Sequence, residues 1–325
     1  MAKKQLEFAN FVCRFGQKSV LVDQLERVVL PAFSIDREKS SAKTRLFLHD
    51  VVVTEHSKNE HVIGGRIVKD TILESEKLYD KQTRKLEDST NSLRSSPSSF
   101  FALVVETHRL IFVKEHRGSP TLRTFENLMR RFLLEAYIEA YGKSPSRKST
   151  AEPEPDRPSP PTLEIVPMMS ESSLGAFLDR FDIIQSLSVR VAETNNELDN
   201  SDLLDNVRES HRRMQSTKTE LSYKSTSEGL NKTEVAAELE AMGKGTGYGH
   251  VKGKDALGHP IEGNNENFGV KSNIDSLPDR VPAAIEVVMA EYNLLEQSGA
   301  VNGGNAEETV RRKVKLVYDS LEYDV

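Results

Sequence analysis

The stretch Ser98-Ser-Phe-Phe-Ala-Leu-Val-Val-Glu-Thr-His-Arg-Leu-Ile-Phe-Val-Lys114 contains two short apolar runs on either side of a polar dipeptide. The first run, 99–106, is too short for a buried helix and is rich in β-forming residues. The second run, 109–114, has the same character. Two such runs joined by Thr107-His108 predict a β-hairpin.

A long amphipathic helix is predicted directly after this hairpin. Ser119 and Pro120 fit its first positions, with Ser119 as the N-cap, and Gly142 fits its end. Its apolar residues recur at helical spacing and form one stripe, which predicts a face packed on the sheet. The stripe consists of Leu122, Phe125, Met129, Phe132, Ala136, Tyr137 and Ala140.

Outward from this unit, the pattern predicts a chain with α+β folds on both sides of a linker. Residues 143–161 contain six prolines among Ser, Glu and Arg, which cannot join a core and predict an exposed linker. We therefore predict two domains, 1–142 and 162–325. Each is expected to be a mostly antiparallel sheet with packed helices.

Weaker sequence patterns predict further helices, strands and loops within these two domains. A short helix is expected over 19–29, ended by Pro31, and a polar loop over 88–98. In the second half we expect a helix over 201–214 and a strand over 262–273.

The composition restricts the class of protein. The single Cys13 excludes an intrachain disulfide and a cysteine-based zinc cluster. No apolar run is long enough to span a membrane, and the N-terminal residues lack the apolar core of a signal peptide. We therefore expect a cytoplasmic protein without membrane insertion and without a cofactor.

Charge is divided unevenly along the chain. Residues 1–150 hold 26 Lys and Arg against 19 Asp and Glu, whereas residues 151–325 hold 18 against 31, for a total of −6. A basic half could face phosphates. Alternatively, it could dock on the acidic half.

Clustered cations are the candidate binding residues. Arg123, Arg130 and Arg131 lie opposite the apolar stripe of the long helix, and Arg117 lies just before it. Arg123 and Arg130 are seven positions apart, which is close to two helical turns, so the two share a helical face. Such a face could contact a phosphate backbone, or it could be a solvated surface paired with Glu126 and Glu135.

The glycine-rich run 243–250 is a second candidate region. Its spacing fits neither a P-loop nor a dinucleotide fingerprint, and it follows a predicted helix, so we interpret it as a helix end and a flexible linker. The alternative is backbone contact to nucleic acid by Lys244, His250, Lys252 and Lys254, with Tyr248 among them.

Catalytic motifs are weak in this sequence. His250-Val-Lys252 lacks the aspartate and the second copy that a phospholipase D-type nuclease needs. His49, His56 and His61 are not spaced to converge on a strand. No Gly-x-Ser-x-Gly elbow occurs, and no Glu-x-Lys follows an aspartate as a two-carboxylate nuclease requires, because Glu38-Lys39 and Glu76-Lys77 are adjacent pairs. We therefore predict no catalytic residues and no metal site.

The order of elements resembles that of RexA-like phage-exclusion proteins and related defence-associated families. The resemblance is carried by 97–106, 109–113, 119–121, 163–166, 178–184 and 251–258. It implies a two-domain, cytoplasmic, self-associating DNA-binding protein of an abortive-infection system.

Together these observations predict a non-enzymatic nucleic-acid-binding sensor or effector of antiphage defence. It would bind double-stranded DNA independently of sequence, form a homodimer and act with a partner protein from the same operon. The predicted contact residues are Arg117, Arg123, Arg130, Arg131, Lys252 and Lys254. The alternatives are a metal-dependent nuclease or toxin of such a system and a protein-interaction scaffold that does not bind nucleic acid.

Overall fold

The computed structural model describes residues 3–322 except 17–18, 35, 58–59, 75–76, 89–90, 143–156, 192–208, 211–212, 215, 217–218, 226, 244–246 and 302. The predicted α+β class is confirmed, since antiparallel sheets and packed helices make up this part of the chain. Most of the predicted 201–214 helix and Lys244 lie outside the described residues.

A nine-stranded antiparallel sheet organises the structure. Its order is β10-β1-β9-β8-β4-β3-β2, with β15 also paired to β1 and β7 also paired to β4. The strands are β1 (Lys4–Arg14), β2 (Glu38–Ser40), β3 (Thr44–Ser57), β4 (Glu60–Glu74), β7 (Ser92–Ser95), β8 (Ser98–Val104), β9 (Arg109–Lys114), β10 (Thr162–Pro167) and β15 (Lys271–Ile274). The predicted hairpin is β8–β9, at the centre of the sheet.

Helices cover both faces of this sheet because alternate strand residues are apolar on both sides. The α-helices are α1 (Leu30–Ala32), α2 (Leu122–Tyr141), α3 (Glu171–Leu178), α4 (Lys232–Gly243), α5 (Asn265–Phe268), α6 (Val281–Gln297) and α7 (Glu308–Glu322). Phe101 and Phe112 pack against α2 on one face, together with α1 and the apolar side of α7. Phe8 and Phe100 pack against α6 on the other face.

Strands from both sides of the predicted linker meet in this sheet. β10 pairs with residues 9–14 of β1, and β15 pairs with residues 4–7 of the same strand. The two predicted domains therefore share one sheet, while their boundary at 143–161 stays a prediction.

A four-stranded antiparallel sheet lies downstream, in the order β12-β11-β13-β14. Its strands are β11 (Ile183–Val191), β12 (Thr219–Lys224), β13 (Gly247–Lys254) and β14 (Pro260–Asn264). α3 and α4 cover one face, where Leu187, Val189 and Val251 pack against Phe177 and Leu239. We call the other face, which carries no helix among the described residues, the open face.

Local predictions fail where capping and backbone hydrogen bonds override the pattern. The N-cap of α2 is Thr121, whose side chain accepts from the Thr124 amide, rather than Ser119. The region around Pro31 is a 3-10 turn (Leu21–Gln24), a π-helical segment (Leu25–Val29) and α1, with Pro31 inside α1.

Two further segments differ from the predicted elements. The predicted loop 88–98 contains β7, because its polar residues pair with the end of β4. The predicted strand 262–273 is β14, α5 and β15 in succession, since Asn264 caps α5 by accepting from the Glu266 amide. β5 (Lys77–Asp80) and β6 (Lys85–Asp88) form a separate hairpin.

Candidate nucleic-acid interface

A groove of 530 Å³ separates α2 from the open face of the four-stranded sheet. Arg123, Asn127 and Arg130 line it from the helix, and Arg190, Tyr248 and His250 line it from the sheet. A neighbouring cavity of 290 Å³ shares Leu122, Arg123 and Asn265 with the groove. Arg123 therefore stands where the two spaces adjoin.

Strict alternation along β13 builds the sheet side of this groove. Gly247, Gly249, Val251 and Gly253 are buried, whereas the residues between them are half-buried or exposed. Tyr248, His250, Lys252 and Lys254 therefore follow one another on the open face. This row of side chains starts in the groove and runs out along the strand.

The buried glycines of β13 have a packing role. A Cβ at Gly249 would lie 2.2 Å from Cδ2 of Leu239 in α4, and one at Gly253 would lie 2.0 Å from the Ile183 carbonyl oxygen. Both positions thus require glycine for close approach. The glycine-rich run, predicted as a flexible linker, becomes strand from Gly247 onward.

Asn265, which is buried, anchors the start of β13. Its Oδ1 accepts from the Gly249 amide at 2.7 Å, and its Nδ2 donates to the Gly247 carbonyl at 2.9 Å. These two bonds satisfy backbone groups beside the groove. They fix the direction in which Tyr248 and His250 project.

Arg190 lies on the neighbouring strand β11 and contacts side chains of two other strands. Its guanidinium pairs with Glu164 of β10 at 2.5 Å and lies 4.0 Å from the ring centroid of Tyr248. The Tyr248 hydroxyl donates to the Ile165 carbonyl at 3.1 Å. Burial, followed by the charge of Glu164, raises the pKa of Tyr248 far above its ordinary value, so this hydroxyl stays protonated.

Arg130 and Glu126 form the helix side of the same region. Arg130 donates through Nε to the Leu163 carbonyl at 2.8 Å and pairs with Glu126 at 2.5 Å. Glu126 also accepts from the Ile165 amide at 3.4 Å. Burial raises the pKa of Glu126, against the opposing effects of Arg130 and this amide.

The six predicted contact residues are therefore in different situations. Arg123 and Arg130 line the groove, and Lys252 and Lys254 extend its sheet wall. Arg131 pairs with Glu135 at 2.6 Å, and Lys252 pairs with Glu262 at 3.1 Å. Arg117 is exposed in the turn before α2.

These cations differ in whether a neighbouring carboxylate compensates their charge. Within the described residues, Arg117, Arg123 and Lys254 have no ion pair, whereas Arg130, Arg131 and Lys252 each have one. Glu220 and Glu266 also line the groove. The groove is thus polar with charges of both signs, and Arg123 is its least compensated arginine.

Sequence reasoning missed Arg190 and Asn265, and it named His250 and Tyr248 only within an alternative. A signal for Arg190 was present, because Ser186, Ser188 and Arg190 alternate with Leu187 and Val189. That alternation marks a sheet with one polar face. No local signal for the groove exists, because its walls come from segments far apart in sequence, 122–130, 188–190 and 248–250.

The histidines considered for a metal site are engaged separately. His56 lies 3.2 Å from Glu286, and His61 Nδ1 lies 2.6 Å from Glu106, which also accepts from the His61 amide. Over the described ranges, no three His, Cys, Asp or Glu side chains come together as a cation site. No helix in that part of the chain is long and apolar enough to cross a membrane.

A family model for a domain of unknown function, DUF4747, matches residues 23–283. The chain belongs to the DUF4747 family. The matched region contains α2, the four-stranded sheet and every residue that lines the groove. No curated protein matches the chain significantly.

Proposed function

We propose that this DUF4747 protein binds nucleic acid through the phosphate backbone, with the groove and the open face as its contact surface. The observation that carries the proposal is the position of Arg123. It is exposed, has no ion pair among the described residues, and stands at the junction of two cavities opposite a row of polar side chains. Arginine presents a planar set of donors that matches phosphate oxygens.

The open face supplies further groups of suitable chemistry. His250, Lys252 and Lys254 project from one strand, so neighbouring side chains are spaced by two residues, about 7 Å. Successive phosphates of one duplex strand lie about 3.4 Å apart along the helix axis, so every second phosphate advances by about 7 Å, which matches this spacing. Contacts of this kind position a backbone without reading bases.

The biological setting is a further part of the proposal. The resemblance to RexA-like proteins supports a cytoplasmic sensor or effector in abortive infection, with duplex DNA as ligand, a homodimeric state and a partner from the same operon. The acidic residues around the groove favour a moderate affinity. Neither a catalytic residue nor a cofactor is part of the proposal.

Fluorescence anisotropy with labelled duplex and single-stranded DNA tests this proposal. We expect binding at roughly 50 mM salt that weakens steeply by roughly 200 mM, because bound phosphates release counterions. The double variant Arg123→Glu, Lys254→Glu should lose binding. Arg312→Glu, Lys315→Glu, with the same charge change on exposed positions of α7, is the matched control.

Other outcomes would identify the alternatives. Degradation of the duplex only when magnesium or manganese is added would favour the nuclease. Absence of binding at low salt would contradict the proposal and favour the protein-interaction scaffold. Equal loss of binding in the two double variants would contradict the assignment to the groove.

A further inference from the structure

A two-stranded β-ribbon extends from the nine-stranded sheet. β4 pairs with β3 as far as Thr71 and with β8 as far as Val68, and residues 71–74 pair with β7. β5 follows β4 along the chain, β6 precedes β7, and β5 and β6 pair with each other. We define the ribbon as residues 72–74, 77–88 and 92–95.

Exposed apolar side chains are concentrated on this ribbon. Of the thirteen large apolar side chains exposed in the described chain, six belong to it, whereas the others are scattered. They are Ile72, Leu73, Leu78, Tyr79, Leu86 and Leu93. Single exposed apolar residues are ordinary, but a cluster of this kind marks an interaction surface.

The apolar residues face one another across the strands. Leu73 is opposite Leu93, and Tyr79 is opposite Leu86. Such apolar pairs stabilise a sheet most when other residues bury them, and an isolated two-stranded ribbon is only marginally stable in water. β5, β6 and β7 each pair with one strand in the described chain, so each presents an edge.

Charge along the ribbon indicates what covers it. The tip, 80–85, carries Lys81, Arg84 and Lys85 against Asp80, a net charge of +2. The base carries Glu74, Glu87 and Asp88 against Lys77 and Arg94, a net charge of −1. A second ribbon running antiparallel beside the first would place each tip against the other's base.

We infer that the ribbon is the surface through which two copies of this chain associate, in an antiparallel arrangement about a twofold axis. A twofold interface must be complementary to itself, and the opposite charges of tip and base meet that condition. The apolar pairs between these charged ends form the centre of the interface. This inference does not depend on nucleic-acid binding, because no residue of the ribbon lines the groove.

A charge-exchange experiment on the full chain tests the inference. Variant A, Lys81→Glu with Lys85→Glu, has an acidic tip and an acidic base. Variant B, Glu87→Lys with Asp88→Lys, has a basic tip and a basic base. Sedimentation velocity across a concentration series should show the wild type dimerising, each variant alone as a monomer, and an equimolar mixture of A and B forming a heterodimer.

The heterodimer distinguishes association from misfolding, because two misfolded variants would not restore each other. The control Arg312→Glu, Lys315→Glu should dimerise like the wild type. A second variant, Leu86→Ser with Leu93→Ser, should weaken dimerisation at least tenfold without a change of charge. A monomeric wild type, dimerisation unaffected by the ribbon variants, or a mixture of A and B that stays monomeric would each overturn the inference.

Discussion

The guanidinium of Arg190 lies 4.0 Å from the centre of the Tyr248 ring on the neighbouring strand of the four-stranded sheet, and both side chains also contact the nine-stranded sheet. Arg190 pairs with Glu164 of the nine-stranded sheet, and Tyr248 donates to Ile165 of the same strand. The open face is therefore held in position beside α2. Its cations can act as one surface with Arg123 only while this junction is intact.

Two replacements of Tyr248 should distinguish how much its ring and its hydroxyl each contribute to the free energy of unfolding. Tyr248→Phe loses one hydrogen bond and should lower the free energy of unfolding by about 1 kcal/mol. Tyr248→Ala also loses the ring under Arg190 and should cost about 3 kcal/mol. Urea unfolding measures both values. Equal losses in the two variants would show that the ring does not hold the junction.

Glu126 should make nucleic-acid binding depend on pH. Its raised pKa means that its neutral form appears at a higher pH than for an ordinary glutamate, about 4.3. Loss of its negative charge beside Arg130 should strengthen phosphate binding as the pH falls. Glu126→Gln should therefore bind several-fold more tightly than wild type at pH 7.

Anisotropy titrations of both proteins from pH 7 to about 5 measure this effect. The wild-type affinity should approach that of Glu126→Gln as Glu126 takes up its proton. Any pH dependence that remains in Glu126→Gln comes from other groups. A constant ratio between the two affinities over this range would contradict the assigned role.

Asp70 at the root of the ribbon should stabilise the fold above acidic pH. Its carboxylate accepts from Arg94 at 2.8 Å, from Arg45 at 2.8 Å and from Ser96 at 3.1 Å. The hydrogen bonds of Arg94 and then Arg45 hold the pKa of Asp70 well below its ordinary value. Because the folded-state pKa is depressed, this stabilisation is present above about pH 4 and is lost as the pH falls.

Thermal unfolding of Asp70→Asn measures that contribution. At pH 7 its Tm should lie a few degrees below that of the wild type, and the difference should narrow below about pH 4. Asp275→Asn, at an exposed position 4.0 Å from Lys3, is the control and should unfold like the wild type. A difference in Tm that persists unchanged at low pH would contradict the ion-pair account.

Sequence reasoning succeeded where local signals agree. The hairpin β8–β9 and helix α2 were predicted because short apolar runs, a polar turn and a helical stripe coincide within 98–142. Ala140, however, is exposed, because Ile138 and Tyr141 are the residues of the last turn of α2 that pack against the core. The position of the helix start was also missed, because Ser119 and Thr121 are both good caps.

The pairing of strands that are far apart in sequence could not be predicted from local patterns. No local feature shows that β10 and β15 both pair with β1, since their registers depend on residues far apart in sequence. The same limit applies to the groove, whose walls meet only after both sheets have formed. The candidate residues Arg123 and Arg130 were found from helical spacing, whereas Arg190 required knowledge of the open face.

The salt dependence of DNA binding by Arg123→Ala and Arg131→Ala tests the central claim most directly. Both variants remove one arginine from the exposed side of α2, but only Arg123 lines the groove, and Arg131 is paired with Glu135. The account predicts that Arg123→Ala lowers the slope of log K against log salt by about 0.9, the value for one phosphate contact, while Arg131→Ala keeps the wild-type slope. Identical slopes for wild type and Arg123→Ala would contradict it.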